Sequence, residues 1–569
     1  MTVNHLRNAD AQKQYLTIAF GRQAAKGTLY CSSVSGSSPN HQVTAYNALG
    51  EGEWEECEGA YYLGWIPPAN YHFHSGALAT GMNSGPQQVD SWFPADVPHS
   101  RTAAIAYRPA VGIGPADTAA TAPDKFEGIF KTKKVPNFNS SGVQTDFSYS
   151  PNPARCIVEL LNTYSRIPNL PGVFSSWAAY WKTRIDWANW VDFRDFHNQT
   201  ELVDYTTIPN FEGFGLTTTF FTGKNFDTQA VKFVHPSINF ASSTSAPIGH
   251  VSAGNFSARF EGFILAKYSE TMTFTLSGDN GRRLYIAPVG GGYGTALIDQ
   301  FATDGSTTPG SNTATYAMTA GTFYKIKVEW NDGGVSNSLK LEWSSTSQTQ
   351  QVVPYKYLYP MAEYRPLYES HVFFQLPTNP ADAIRTILQQ TNSLKQDVNG
   401  KLRFYCFEQL SPSFTLDDSN IDSFKFRPRD ILQNDVYTAY EADFKDLDLL
   451  YLEKPETPIQ VAIDTFSRKG GENIKVVNCF NTTRWQARKI LQTLIKLEAT
   501  NGLIADIESK MSKSYPVMPG DLINVQHRKL GGSSRVCLVR SATDKAVAEV
   551  TRQQATDAEK RAFTVQEWT

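Results

Sequence analysis

The stretch "TFTLSGDNGRRLYI" (Thr273 to Ile286) reads as a strand, a tight acidic corner and a second strand. Asp279 and Asn280 ahead of Gly281 are turn residues, because short polar side chains bond their own backbone and glycine accepts left-handed angles. Carboxylate and amide oxygens gathered at such a corner are also the hard donors that calcium takes. Strands of the same kind lie around it. In "FYKIKVEW", Tyr324, Ile326, Val328 and Trp330 share one face, while Lys325, Lys327 and Glu329 are expected to face water. In "SLKLEW", Leu339, Leu341 and Trp343 share a face. The intervening "APVGGGYG", "TDGSTTPGSN" and "NDGGVSN" have loop composition. Residues 211–360 therefore read as a two-sheet β-sandwich.

The texture differs on either side. Residues 1–150 read as a β-rich domain, with strands expected in "RTAAIAYRPAVGI" and "KFEGIFKTKKVPNF". Residues 151–210 turn helical: "NPARCIVELLNTY" starts at Asn152-Pro153 and places Ile157, Leu160 and Leu161 on one face. "SSWAAYWKTRIDWANWVDF" follows, and its Trp177, Trp181, Trp187 and Trp190 suit helix packing better than a carbohydrate platform. Residues 361–504 continue the α+β texture of 151–210. "TNPADAIRTILQQT" is a second Asn-Pro helix start, with Ile384, Ile387 and Leu388 inward, and "TTRWQARKILQTLIKLEAT" stripes Ala487, Ile490, Leu491 and Leu494 behind a Thr482 or Thr483 cap. Residues 505–569 read as a small closing β-domain. The fold class is thus α+β multidomain: mainly β domains with short helices, interrupted by a β-sandwich inserted at a surface loop.

A length of 569 residues suggests about three to five domains. The net charge of -3 gives no reason to expect nucleic-acid-specific binding. No apolar run of about eighteen residues predicts a transmembrane helix, and the N-terminus lacks a secretory pattern. Six scattered cysteines without a CxxC pair read as free thiols in a reducing compartment. No GxSxG, HExxH or Walker pattern occurs, so an enzyme is not expected. His72 and His74 in "YHFHSG" share a strand face but have no third ligand nearby, so a packed or solvated pair is expected. "GEWEECEG" reads as a solvated strand edge, and "GGGYG" (Gly290 to Gly294) has no following helix to cradle a phosphate.

Five flanking segments occur in the order found in tail-tip or baseplate hub proteins of long-tailed bacteriophages: "GEGEWEECEGAYYLG", "NPARCIVELLNTY", "NPADAIRTIL", "NDVYTAYEADF" and "RWQARKILQTLIKLEATNGLIADIESKMSKSYPVMPGDLINVQH". The chain resembles that family, the lambdoid host-specificity proteins included, over about two thirds of its length. The resemblance implies a virion protein made in the host cytoplasm and placed at the tail tip. It would form a homotrimer that closes the tail tube, with the distal tail protein above and the C-terminus of the tape-measure protein inside. Between the flanks, "FGLTTTFFTGKNF", "FSARFEGFILA", "TFTLSGDNGRRLYI" and "GTFYKIKVEWNDGG" resemble the lectin-like domain named after the anthrax protective antigen. In its sugar-binding members two adjacent Asp hold calcium; this chain has Asp279 and Asn280. Asn331 and Asp332 occupy a loop where members add ligands. The resemblance implies a Ca²⁺ site at Asp279 and Asn280, carbohydrate contact at Asp279, Asn280, Asn331 and Asp332, and host surface glycans as partners; no other cofactor is implied. Two alternatives stand. One is a glycan-degrading enzyme with a carbohydrate-binding insert, which would need two carboxylates about 5–9.5 Å apart. The other is the hub of a contractile injection or gene-transfer particle.

Overall fold

The computed structural model describes residues 3–567 except 6–16, 76–101, 108–125, 167–176, 303–309, 428–436, 463–472, 546–559 and shorter breaks of one to six residues. The molecule is mainly β and multidomain, with a few short helices.

The body on either side of the sandwich is built from both flanks at once. The helix Pro153–Arg166 is started by Asn152, whose Oδ1 accepts from the Ala154 N–H at 3.0 Å. The helix Pro380–Gln390 repeats the device: Asn379 Oδ1 accepts from the Ala381 N–H at 2.9 Å. Proline suits the first turn, where an N–H would be orphaned anyway. The two helices meet in one core, with Ile157, Leu160 and Leu161 beside Ile384, Ile387 and Leu388. One apolar face was expected on the first helix. It is buried all round instead, from Ala154 through Leu161. Its Glu159 is accommodated by Lys133 at 3.1 Å, and both side chains are shut from solvent. Trp181 and Trp190 are core residues of the helices Trp177–Arg184 and Trp187–His197, and Trp187 packs on Phe138. The Trp177 side chain lies outside the described residues.

Two short ribbons tie the flanks together across the insertion. Thr17–Ala19 pairs with Phe373–Gln375, and Thr200–Val203 pairs antiparallel with Glu363–Pro366, Val203 opposite Glu363. The second ribbon is the neck of the sandwich. Beyond it the Gly213 N–H donates to Lys356 O and the Gly215 N–H to Leu358 O. A Cβ on Gly213 would lie 2.3 Å from Leu358 O, so only glycine lets the strands close there. The helix Arg484–Leu494, capped by Thr483, covers Ala439–Asp446 and Ile474–Thr482, two parallel strands. Near the C-terminus a six-stranded sheet joins Ile504–Lys510, Leu522–Gln526, Ser534–Lys545 and Lys560–Glu567 to Phe414–Leu416 and Ile421–Phe426.

The sandwich runs from Leu216 to Pro360. One sheet contains Leu216–Thr222, Thr228–His235, Phe256–Leu265, Gly281–Pro288, Ile298–Gln300, Phe323–Asp332 and Leu358–Pro360; the other contains Asn239–Ser243, Thr271–Gly278, Gly310–Ala317, Asn337–Ser345 and Gln348–Val352. Phe220, Phe260, Phe274, Leu276, Val328, Trp330, Leu341 and Trp343 fill the space between them. One expectation about this domain is corrected. Glu329 does not face water; its side chain is only 5% exposed, because Arg259 and Arg283 from neighbouring strands enclose it. The sandwich is also seated on the body. The Val234 N–H donates to Asp448 O at 2.7 Å, Lys232 pairs with Glu363 at 2.7 Å, and His250 Nε2 reaches Glu58 O at 2.9 Å.

The candidate cation corner of the inserted domain

The turn between Thr271–Gly278 and Gly281–Pro288 is forced by its residues. Asn280 sits at φ +66°, a left-handed angle that asparagine tolerates better than most residues. A Cβ on Gly281 would lie 1.9 Å from Asn331 Oδ1, so glycine is required there too. The Asp279 N–H donates to Ser338 O at 3.0 Å, and Asp279 Oδ1 accepts from the Asn280 N–H at 3.1 Å. Ser336 Oγ donates to Asp279 Oδ2.

Register brings the second pair to this corner. Gly281 lies opposite Asn331, and Phe256 opposite Asp332, on adjacent strands. Asn331 and Asp332 were expected in a loop. They are instead the last two residues of the strand Phe323–Asp332, both fully buried. The pairing with Phe256–Leu265 and Gly281–Pro288 extends the strand to that point. Asn280 Nδ2 donates to Asp332 Oδ1 at 2.5 Å and to Ser336 O at 3.0 Å. The Gly334 N–H also donates to Asp332 Oδ1, at 2.8 Å. Asn331 Nδ2 donates to Lys224 O at 3.1 Å and Ala302 O at 2.7 Å, fastening two loops.

At this corner two buried oxygens, Asp332 Oδ2 and Asn331 Oδ1, have no hydrogen-bond partner among the described residues. An unpaired buried acceptor is costly. Burial, and next the Gly334 and Gly254 N–H groups and the Asp279 charge, act on the Asp332 carboxyl, with a net shift upward. A hard cation would relieve both effects, and the donors present are all oxygens, as calcium prefers. Two carboxylates fit the ion: Asp279 and Asp332, joined through Asn280, whereas Asn331, the neighbour of Asp332 on one strand, points to the opposite face of the sheet. Asn280 turns its amide nitrogen, not its carbonyl, towards Asp332, so it serves a cation only after the amide turns over.

Two residues at this corner escaped sequence reading. Ser336 holds Asp279, and Arg282, buried, donates to Asn280 O at 3.0 Å and to Asn312 Oδ1 at 2.9 Å. The alternation in "GRRLYI" does signal that Arg282 and Arg283 point to opposite faces. Elsewhere, His72 and His74 share the strand Tyr71–His74, and among the described residues no group of three His, Cys, Asp or Glu is placed to hold a metal. The carboxylates of "GEWEECEG" pair with cations: Glu53 with Lys134 at 2.8 Å, Glu56 with Lys131 at 2.6 Å and Glu58 with Arg22 at 2.5 Å.

Residues 214–357 match the family model described as the PA14 domain. Over 154 residues the chain is 30% identical to the Anti-sigma-I factor RsgI3 of Acetivibrio thermocellus, a match that covers 27% of this chain and 22% of that protein. The chain thus spans about a fifth of that curated relative's length. Among solved structures it is similar to the Epithelial Adhesin 6 A domain from Candida glabrata in complex with Galb1-3GlcNAc, at 16% identity, covering 28% of this chain and 92% of that one with a TM-score of 0.23. It is also similar to a chain in the virion of a native gene transfer agent particle, at 8% identity, covering 100% of this chain and 88% of that one with a TM-score of 0.42. The sandwich inserted between the two flanks is a PA14 domain.

Proposed function

We propose that this chain is the structural hub at the distal tip of a phage tail, and that its PA14 insert contacts host surface glycans during adsorption. The flanks, which resemble tail-tip hubs segment by segment, would form the ring that closes the tail tube. That ring would hold three copies, with the distal tail protein above and the tape-measure C-terminus inside. The role is structural, with no catalysis assigned to it.

The observation that carries the reading is the neck. Residues 200–203 and 363–366 are paired, so the chain leaves and rejoins one continuous body at a single ribbon. A hub needs that body unbroken while an adhesive part is displayed from it. The strand Leu216–Thr222 starts at this neck, and the Asp279 corner lies level with its far end, about 20 Å along the strand direction. At that corner Asp279 and Asp332 would hold calcium. The bound ion supplies fixed positive charge and open coordination positions for a pair of sugar hydroxyls. The protein's own part is to fix the oxygens: Ser336 orients Asp279, the Gly334 N–H orients Asp332, and Arg282 locks the turn.

Gold labelling with an antibody against this chain on intact particles tests the reading. Label at the tail tip is expected. Label elsewhere, or none on purified particles that contain the chain, would overturn it.

A further inference from the structure

Alternate residues on the outer face of the larger insert sheet line up in rows. Thr219, Arg259, Glu329, Arg283 and Asp299 are register partners across five strands. One row nearer the corner come Phe221, Ser257, Asn331 and Gly281. Over these rows two loops lay a pair of rings. Phe226 and Phe301 are stacked, with centroids 5.8 Å apart and planes 12° from parallel. Arg259 lies 4.5 Å from the Phe226 centroid, and Arg283 lies 4.1 Å from that of Phe301. Phe226 takes φ +60°, a conformation that aromatic residues rarely adopt, and its N–H donates to Ser257 Oγ at 2.8 Å. The roof is therefore built at a conformational cost. It is tied to the corner by Asn331, whose Nδ2 holds Lys224 O and Ala302 O in the loops that carry the two rings.

The charge on this face is unbalanced. Glu329 is shared by three cations: Arg259 at 3.0 Å, Arg283 at 3.5 Å and Lys327 at 3.5 Å. The second partner of Arg283, Asp299, is 57% exposed and well screened by water. With Lys232, Lys325 and Glu261 included, the face carries five cations against three carboxylates, on a chain whose net charge is -3. Both guanidinium groups keep part of their surface open, with the Arg259 side chain 31% and that of Arg283 27% exposed. A planar guanidinium held against a ring is pre-organised to grip a carboxylate or phosphate with two donors.

We propose that this face is a second subsite beside the Asp279 corner, specific for acidic sugars. The Phe226–Phe301 pair stacks on the apolar face of a pyranose ring, and Arg259 and Arg283 hold the carboxylate or phosphate substituent of that sugar. The inference rests on the glycan reading of the insert and adds the class of glycan. The full-length protein is tested against a panel of bacterial surface polysaccharides carrying carboxylates or phosphates. Each is paired with its carboxyl-reduced or dephosphorylated form, in calcium buffer, and retention is read by biolayer interferometry. The acidic member of a pair should bind about tenfold tighter than its stripped partner; which kind of stripping abolishes the preference identifies the anionic group. Arg283→Gln should bring the ratio close to one with the melting temperature little changed, since Glu329 keeps Arg259 and Lys327. Phe301→Ala should weaken both members of a pair alike. Equal binding of native and stripped forms by the unaltered protein, or an unchanged ratio in Arg283→Gln, overturns the subsite and leaves the glycan reading standing. Retention of no polysaccharide at all removes both.

Discussion

At the residue scale the corner turns on Asn280. Its amide donates to a buried carboxylate at 2.5 Å, a bond that a second carboxylate cannot make. Asn280→Asp should therefore act in opposite directions with and without calcium. In chelator it faces Asp332 with a like charge and should destabilise the insert by about 1–3 kcal/mol. In calcium the added charge should tighten the site and enlarge the ion-induced rise in melting temperature. Asp279→Ala should abolish that rise. Thermal melting of the full chain in calcium and in chelator checks all three; if calcium shifts neither the native protein nor Asn280→Asp, the corner is only a turn. Acid titration gives a further check. Burial holds the Asp332 carboxyl above the ordinary carboxylate value of about 3.9. Between those two values the folded protein keeps a proton that the unfolded chain has released. Stability from this group is full below the lower value and is lost as pH rises towards the upper one. In chelator, Asp332→Asn should remove that part of the loss, seen as a flatter melting temperature as pH rises above the ordinary carboxylate value of about 3.9. An identical slope in the native and Asp332→Asn proteins would assign it to other groups.

At the element scale, what sequence could foresee followed how local each cause was. Both Asn-Pro helix starts were legible, and the cap of Arg484–Leu494 to within Thr482 or Thr483, because a cap acts within three residues of itself. The inward stripe of Ile326, Val328 and Trp330 was legible from alternation. Glu329 was not, because its arginines lie 70 and 46 residues away in sequence and meet it only through register. Asn331 and Asp332 were placed in a loop, whereas they end a strand. The pairing that extends their strand comes from Phe256 and Gly281, and no local signal marks it. The all-round burial of residues 154–161 was hidden for the same reason, since Lys133 is supplied to Glu159 by a distant strand. The neck carries its own prediction. Replacing residues 213–360 with a short Gly/Ser linker should leave the body folded, because Thr200–Val203 and Glu363–Pro366 remain to pair. The truncated protein should nevertheless melt lower, since Phe214, Val234 and Tyr359 of the replaced segment are buried among Tyr205, Tyr440 and Phe444 of the body. Losing that burial costs about 1.5–3 kcal/mol for each large side chain. Circular dichroism and melting would check it, and an insoluble or helix-poor product would mean that the body depends on the insert to fold.

At the scale of the whole molecule, a body knitted from both flanks carries a PA14 domain on a two-stranded neck, with an oxygen-lined corner level with the far end of the neck strand. No described helix is long and apolar enough to cross a membrane. Isolated chains would be monomeric if their ring contacts form only beside neighbouring proteins, so the assembled particle is the object to measure. The most direct test is a reconstruction of the intact particle at a resolution that traces the chain. Three copies around the tail axis are predicted, with residues 1–210 and 361–569 closing the tube and the Asp279 corner of each insert turned outward. A single copy, six identical copies, or a position away from the tip would contradict the account.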